Sequence, residues 1–114
     1  MTFHNDLKLH ISDLILEIYK ASGDFPKDEI YGITSQLRRA SVSVMTNYVE
    51  GYARFTNPQI KNFLTISYGS LKETECLVEI SKKLGYLSEE ESTYLNNQIG
   101  TIARMLWGTI HKIK

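Results

Sequence analysis

Apolar residues along this chain recur at spacings of three and four, which is the period of an amphipathic α-helix. Strand-type alternation is not sustained anywhere, and the only two prolines are Pro26 and Pro58. The pattern therefore predicts four helices separated by short breaks. The first helix, at about 5–22, places one apolar face toward a core: Leu7, Ile11, Leu14, Ile18 and Ala21.

Glycines and prolines set the boundaries of the first two predicted helices. Gly23 is expected to end the first helix in the left-handed cap conformation, and Pro26 prevents its continuation. The second helix is predicted at about 30–54, with Gly32 weakening its first turn. Its main apolar stripe consists of Leu37, Ala40, Val44, Tyr48, Gly51 and Phe55.

Capping residues set the boundaries of the last two predicted helices. Thr56 or Asn57 caps a third helix that starts at Pro58 and runs to position 84, where Gly85 ends it. Ser88 and Glu91 form a capping box for the fourth helix. Long helices joined by short connections predict an all-α, antiparallel up-down-up-down four-helix bundle with residues 1–114 as one domain.

Two of the helices carry more apolar surface than one core needs. At 100° per residue, Leu9 and Leu16 lie opposite the core face of the first helix. Scattered surface apolar residues are normal on monomers, but residues aligned at helical spacing favour a self-association surface and a closed homo-oligomer. The predicted interface consists of Leu9, Leu16, Arg38, Val42, Met45 and Val49.

The second helix also carries a continuous polar stripe. Its members are Gln36, Arg39, Ser43, Asn47, Glu50 and Arg54. Arg38 lies about 100° from Arg39 and belongs instead beside Val42 and Met45, at the edge of the predicted interface. A solvated face is one interpretation of the stripe. Its lack of lysine and its interleaved amide and hydroxyl groups favour the other, an ordered polar network.

Charge limits the partners that the chain can attract. The 13 Lys and Arg residues balance 13 Asp and Glu, so the formal net charge is zero. Since nucleic-acid affinity comes mainly from phosphate neutralisation, a neutral chain binds nucleic acid only through a local patch. Arg38, Arg54 and Lys61 are the candidate contacts, and ordinary surface charge explains them equally well.

Residues that would support catalysis are few. Cys76 is the only cysteine, which excludes an intrachain disulfide and a cysteine-based zinc site. His4, His10 and His111 show no metal-ligand spacing, and no glycine-rich phosphate loop occurs. We therefore expect no enzyme activity and no cofactor or metal. No apolar run is long enough to span a membrane, so we expect a cytoplasmic protein.

Three segments resemble the 23S ribosomal RNA intervening-sequence protein family: "TSQLRRASVSVMTNYVEGYAR", "FLTISYGSLKETE" and "LGYL". Members are also called four-helix-bundle proteins and include the accessory variability determinant of diversity-generating retroelements. Met45 replaces a proline common in the family pattern, and Tyr48 replaces an aliphatic residue. The matching positions are Ser35, Gln36, Arg38, Arg39, Ala40, Ser43, Asn47, Glu50, Gly51, Arg54, Gly69, Ser70, Glu73 and Glu75.

The resemblance implies a four-helix bundle assembled as a homopentamer. For the retroelement branch it also implies an accessory subunit that binds a reverse transcriptase and nucleic acid. We therefore predict a non-enzymatic interaction module that binds itself and a protein or nucleic-acid partner. The alternative is a nucleic-acid-binding accessory factor that works with a reverse transcriptase.

Overall fold

The computed structural model describes residues 2–114 and confirms the all-α fold. Helix α1 spans Phe3–Ser22, α2 spans Ile33–Tyr52, α3 spans Asn57–Lys83 and α4 spans Glu89–Lys112. A 3-10 turn at Lys27–Glu29 precedes α2. Each helix packs against the helices next to it in the chain, and α4 returns to α1. The result is an up-down-up-down bundle of 43 × 25 × 21 Å.

Both ends of α3 and the start of α4 use the caps that the sequence predicted. Thr56 Oγ1 accepts from the backbone N–H of Gln59, with Pro58 in the first turn of α3. Ser88 Oγ accepts from Glu91 N at 3.0 Å, and the Glu91 carboxylate accepts from Ser88 N at 2.9 Å, which confirms the capping box. Gly85 has φ 82°, a left-handed conformation that favours glycine.

Three details of the prediction are wrong. Helix α2 begins at Ile33 rather than 30, because Gly32 interrupts the backbone after the 3-10 turn and Glu29 Oε1 accepts from Ile33 N at 3.4 Å. Gly23 is right-handed, with φ −62°. Phe55 is 98% exposed rather than part of the core, because α2 ends at Tyr52 and the chain turns before it.

The core is built from the inward stripes of all four helices. The stripe residues Leu7, Ile11, Leu14 and Ile18 of α1 are fully buried. Helix α4 contributes Leu95, Ile99, Ile102 and Leu106, which recur at the spacings of three and four that place them on one helix face. Among the residues described, no helix combines the length and apolar content needed to cross a membrane.

Small residues let α2 and α3 approach closely. A Cβ at Gly51 would lie 3.2 Å from side-chain atoms of both Leu64 and Phe63. Ser67, which is fully buried, donates its hydroxyl to the Val44 carbonyl oxygen at 2.6 Å. This seam fixes which flank of α2 faces α3 and therefore which flank faces α1.

Candidate functional site

Arg38 joins the start of α2 to the end of α1. Its Nε donates to Ser22 Oγ at 2.8 Å, and its Nη2 donates to the Tyr19 carbonyl oxygen at 3.4 Å. The guanidinium also lies 4.7 Å from the centre of the Tyr19 ring. A cation at the C-terminal turn of a helix is favourable because free carbonyls and the negative end of the helix dipole meet there.

The other end of the α1–α2 seam is aromatic. His4 Nδ1 and the buried Tyr48 hydroxyl form a hydrogen bond of 2.5 Å, and the His4 ring lies edge-on to Tyr52 at 4.3 Å between centres. Burial, reinforced by neighbouring Tyr52, raises the pKa of Tyr48 above its ordinary value. Burial also raises the pKa of Tyr52. The long side chains thus bridge this seam at both ends.

Two surface hollows lie along the same seam. One, of about 420 Å³, is lined mainly by apolar atoms and contains Tyr19, Ile30, Arg38 and Val42 among its walls. The second, of about 350 Å³, is lined by His4, Lys8, Tyr48, Val49, Tyr52 and Ala53. Lys8 also borders a third hollow beside Leu9, so the apolar surface runs from α2 onto the outer side of α1.

The predicted interface residues lie on this side of the bundle. Leu9, Leu16 and Val49 are at least half exposed, with Leu16 at 67%. Val42 and Met45 are half-buried, and Met45 also packs against the core. Val42 and Val49 therefore line the two hollows of the seam and Leu9 borders the third, whereas Leu16 lies on the outer side of α1 and lines none of them. Arg38, which was also predicted as an interface residue, lines the larger hollow and donates a hydrogen bond to Ser22 of α1.

The polar stripe forms two local pairs rather than one network. Asn47 Nδ2 donates to the Ser43 carbonyl oxygen at 2.9 Å and lies 3.2 Å from its hydroxyl. Arg54 forms an ion pair with Glu50. Within residues 2–114, Gln36 and Arg39 have no side-chain hydrogen bond, although Arg39 lies four residues before Ser43 on the same face.

The predicted nucleic-acid contacts do not form one cluster around α2. Arg38 is engaged with Ser22, and Arg54 pairs with Glu50 while its guanidinium lies 4.7 Å from the Phe63 ring centre. Lys61 is exposed near the start of α3. The three cations predicted to contact nucleic acid therefore have three different surroundings.

An exposed aromatic group on α3 and α4 was missed as a site. The Trp107 ring lies 3.9 Å from the His111 ring and 5.7 Å from the Tyr68 ring, centre to centre. Lys72 Nζ lies 5.5 Å from the centre of the Tyr68 ring. Helical spacing places Trp107 off the core face, but its contact with Tyr68 depends on how α3 and α4 pair.

No group of three metal-ligating side chains forms within the part of the chain that the structure describes. Glu29, one carboxylate with clear partners, accepts a hydrogen bond from the Tyr86 hydroxyl at 2.8 Å. This bond raises the pKa of Tyr86. The Tyr86–Glu29 hydrogen bond joins the segment before α2 to the α3–α4 turn.

Comparison with known proteins identifies relatives of the chain. The family model described as 23S rRNA-intervening sequence protein matches residues 7–108. A solved structure of a protein of unknown function from the S23 ribosomal protein family of Bacteroides thetaiotaomicron has a TM-score of 0.88 and 20% identity, covering 96% of this chain and 99% of that chain. At that identity the likeness shows a shared fold alone. The comparison with curated proteins gives no match.

Proposed function

The chain belongs to the 23S rRNA-intervening sequence protein family, and we propose that it is a non-enzymatic interaction module that assembles with copies of itself. The observation that carries this proposal is the apolar outer surface of α1 and α2. Leu9, Leu16 and Val49 stay at least half exposed on that surface, beside two apolar hollows. Contiguous exposed apolar surface is typical of interfaces.

The shape of this surface supports docking of another protein surface rather than of a small ligand. Its two apolar hollows are open and lie along the α1–α2 seam, and Leu9 and Leu16 project from the outer side of α1. A second copy offers both projections and hollows, which is the complementarity that symmetric assembly uses. The resemblance to the family sets five copies as the expected number.

Light scattering on the purified protein tests the proposal. We expect a mass near five times the 13.1 kDa of the chain at micromolar concentration. Replacing Met45 and Val49 by Glu places two carboxylates on the apolar surface, so this variant should be monomeric with unchanged helical circular dichroism. A wild-type protein that scatters as a 13.1 kDa monomer would overturn the proposal.

Because Met45 also packs against the core, a second variant separates dissociation from unfolding. Leu16→Glu with Val49→Glu changes only side chains that are at least half exposed. The matched control is Ile66→Glu with Ile80→Glu, which adds the same charge to exposed positions on α3. We expect dissociation in the first pair and intact assembly in the control; the reverse result would place the interface on α3.

A further inference from the structure

The zero net charge of the chain hides an uneven distribution of charge between its helices. Residues 51–72 and 92–114 contain no Asp or Glu. They contribute six cations, which are Arg54, Lys61, Lys72, Arg104, Lys112 and Lys114. These two stretches meet at one end of the bundle, because α3 starts where α4 ends. Asp6 of α1 and Glu50 of α2 lie at the same end, so the local patch that a neutral chain needs to attract a polyanion is confined to α3 and α4.

Cations and aromatic rings on α3 and α4 share one surface. Along α3, positions 61, 65, 68 and 72 are spaced by four, three and four, so they lie on one flank. Along α4, positions 104, 107 and 111 form the matching stripe. The contact between Tyr68 and Trp107 shows that these two stripes face each other across the α3–α4 groove.

Two of the rings in this groove are accessible, while Tyr68 is half-buried and packs against the core. Trp107 is 53% exposed, and His111 is exposed beside it. Gly69 follows Tyr68 and Gly108 follows Trp107, and a Cβ at either glycine would meet no atom within 4 Å. Open space therefore borders the rings on both helices, and a planar group can approach them.

We propose that this α3–α4 surface binds single-stranded nucleic acid. Bases stack on Trp107 and His111, beside the half-buried Tyr68, while Lys61, Arg104 and Lys72 contact the phosphates. Lys72 lies 3.5 Å from the Glu75 carboxylate in an exposed ion pair, which a phosphate would replace. Stacking platforms flanked by cations are the usual means of binding single strands without sequence preference. A duplex offers its phosphates but keeps its base faces stacked, so it would use only half of this surface. Of the contacts predicted from sequence, the proposal keeps Lys61.

The self-association surface on α1 and α2 takes no part in this inference. Helices α3 and α4 of a single chain contain every residue invoked, so binding does not require assembly. The Leu16→Glu, Val49→Glu variant should therefore bind nucleic acid with the wild-type affinity per chain. A loss of binding in that variant would overturn the assignment to α3 and α4 alone.

The only tryptophan in the chain provides a direct readout. Titration with a fifteen-nucleotide oligouridine or oligothymidine should quench Trp107 fluorescence, since stacked bases quench indole emission. Three phosphate contacts predict an affinity that falls with salt at a slope of about −2 on logarithmic axes. Absence of binding to both oligonucleotides at low salt would overturn the proposal, as would tighter binding to duplex.

Matched variants locate the site. Lys61→Ala with Arg104→Ala should weaken binding about tenfold or more at low salt, read by anisotropy of a labelled oligonucleotide. Lys82→Ala with Lys83→Ala removes the same charge at the opposite end of α3 and should change affinity less than twofold. Equal losses in both variants would show attraction to net charge alone and overturn the site.

The stacking role has its own test. Trp107→Ala should weaken binding about five- to hundredfold, whereas Trp107→Tyr should retain most of the affinity because it keeps a ring. Heparin supplies anionic groups without bases and should compete poorly at equal charge. If heparin binds as tightly as the oligonucleotides and Trp107→Ala has no effect, the bases are not recognised and the proposal fails.

Discussion

Helix α2 is joined to its two neighbours in opposite ways. On the α3 side, small residues bring the backbones together, with Gly51 against Leu64 and the Ser67 hydroxyl on a Val44 carbonyl oxygen. On the α1 side, long side chains bridge the gap, with Arg38 at one end and the His4–Tyr48 pair at the other. A close seam leaves no surface for a partner, whereas a bridged seam leaves hollows.

This difference explains where an apolar surface can remain available. The hollows of about 420 and 350 Å³ both lie on the bridged side of α2. Closely packed interiors are sensitive to added volume, while side-chain bridges at a partly exposed seam contribute modest individual energies. The two seams should therefore respond differently to substitution.

The largest effect should come from adding volume to the close seam. Gly51→Leu should lower the free energy of unfolding by about 2–3 kcal/mol, because the new Cβ already crowds Leu64 and Phe63 at 3.2 Å. Urea denaturation measures this change. Gly69→Leu is the matched control, since its Cβ meets nothing within 4 Å, and it should not destabilise. Equal destabilisation by both would contradict the close seam.

Removing a bridge should have a smaller effect. Arg38→Ala should cost about 1 kcal/mol, because it removes the hydrogen bond to Ser22 and the contact with Tyr19 at a half-exposed site. The adjacent Arg39→Ala should stay within about 0.5 kcal/mol, as expected of an exposed side chain. Thermal or urea unfolding of both variants checks the comparison, and a larger cost at Arg39 would reverse our assignment of the two arginines.

The aromatic end of the bridged seam predicts sensitivity to alkali. Since burial raises the pKa of Tyr48, the folded chain keeps the phenol proton that the unfolded chain releases near pH 10. Stability is therefore present below pH 10 and is lost as the pH rises above it. Tyr48→Phe should lose less stability than the wild type between pH 8 and 10.5, measured by urea denaturation. If Tyr48→Phe loses as much stability as the wild type over this pH range, groups other than Tyr48 cause the loss.

The smallest effect should come from the polar stripe. Glu50→Gln removes an exposed ion pair with Arg54 and should cost only a few tenths of a kcal/mol. This stability cost should depend only weakly on salt, and chemical denaturation of both proteins at low and high salt measures the dependence. A cost above about 1 kcal/mol would show that the stripe stabilises the fold and is more than a row of local pairs.

Local signals in the sequence predicted the fold well and the side-chain bridges poorly. The Ser88–Glu91 box and the Leu95–Leu106 stripe depend on residues within a few turns, so spacing alone identifies them. Phe55 fits the apolar spacing of the second helix, but that helix ends at Tyr52, three residues before it. Residues 53–55 contain no Gly or Pro that would mark the end of α2, and the signals at Thr56 and Pro58 mark only the start of α3.

The site depends on pairs that are distant in sequence. Helical spacing assigned Arg38 and Arg39 to different faces of the second helix. It could not identify Ser22 as the partner of Arg38, because Ser22 lies 16 residues earlier. His4 and Tyr48 are 44 residues apart. The cation and aromatic stripes are visible within α3 and α4 separately, while their meeting at Tyr68 and Trp107 depends on the packing of the two helices. Periodicity identifies faces, and three-dimensional packing decides which faces meet.

The separation of charge has a practical consequence for how the protein behaves on a column. With a sequence pI of about 6.8, it would be expected to pass unretained through ion exchangers near neutral pH. The acid-free start of α3 and end of α4 lie toward one end of a 43 Å body, and Glu89–Glu91 lie at the other, so charge is unevenly distributed along the molecule. Asp6 and Glu50 at the first end, and Lys82 and Lys83 at the second, reduce the difference. At low salt we expect retention on both cation and anion exchangers, with opposite ends of the bundle facing the two resins.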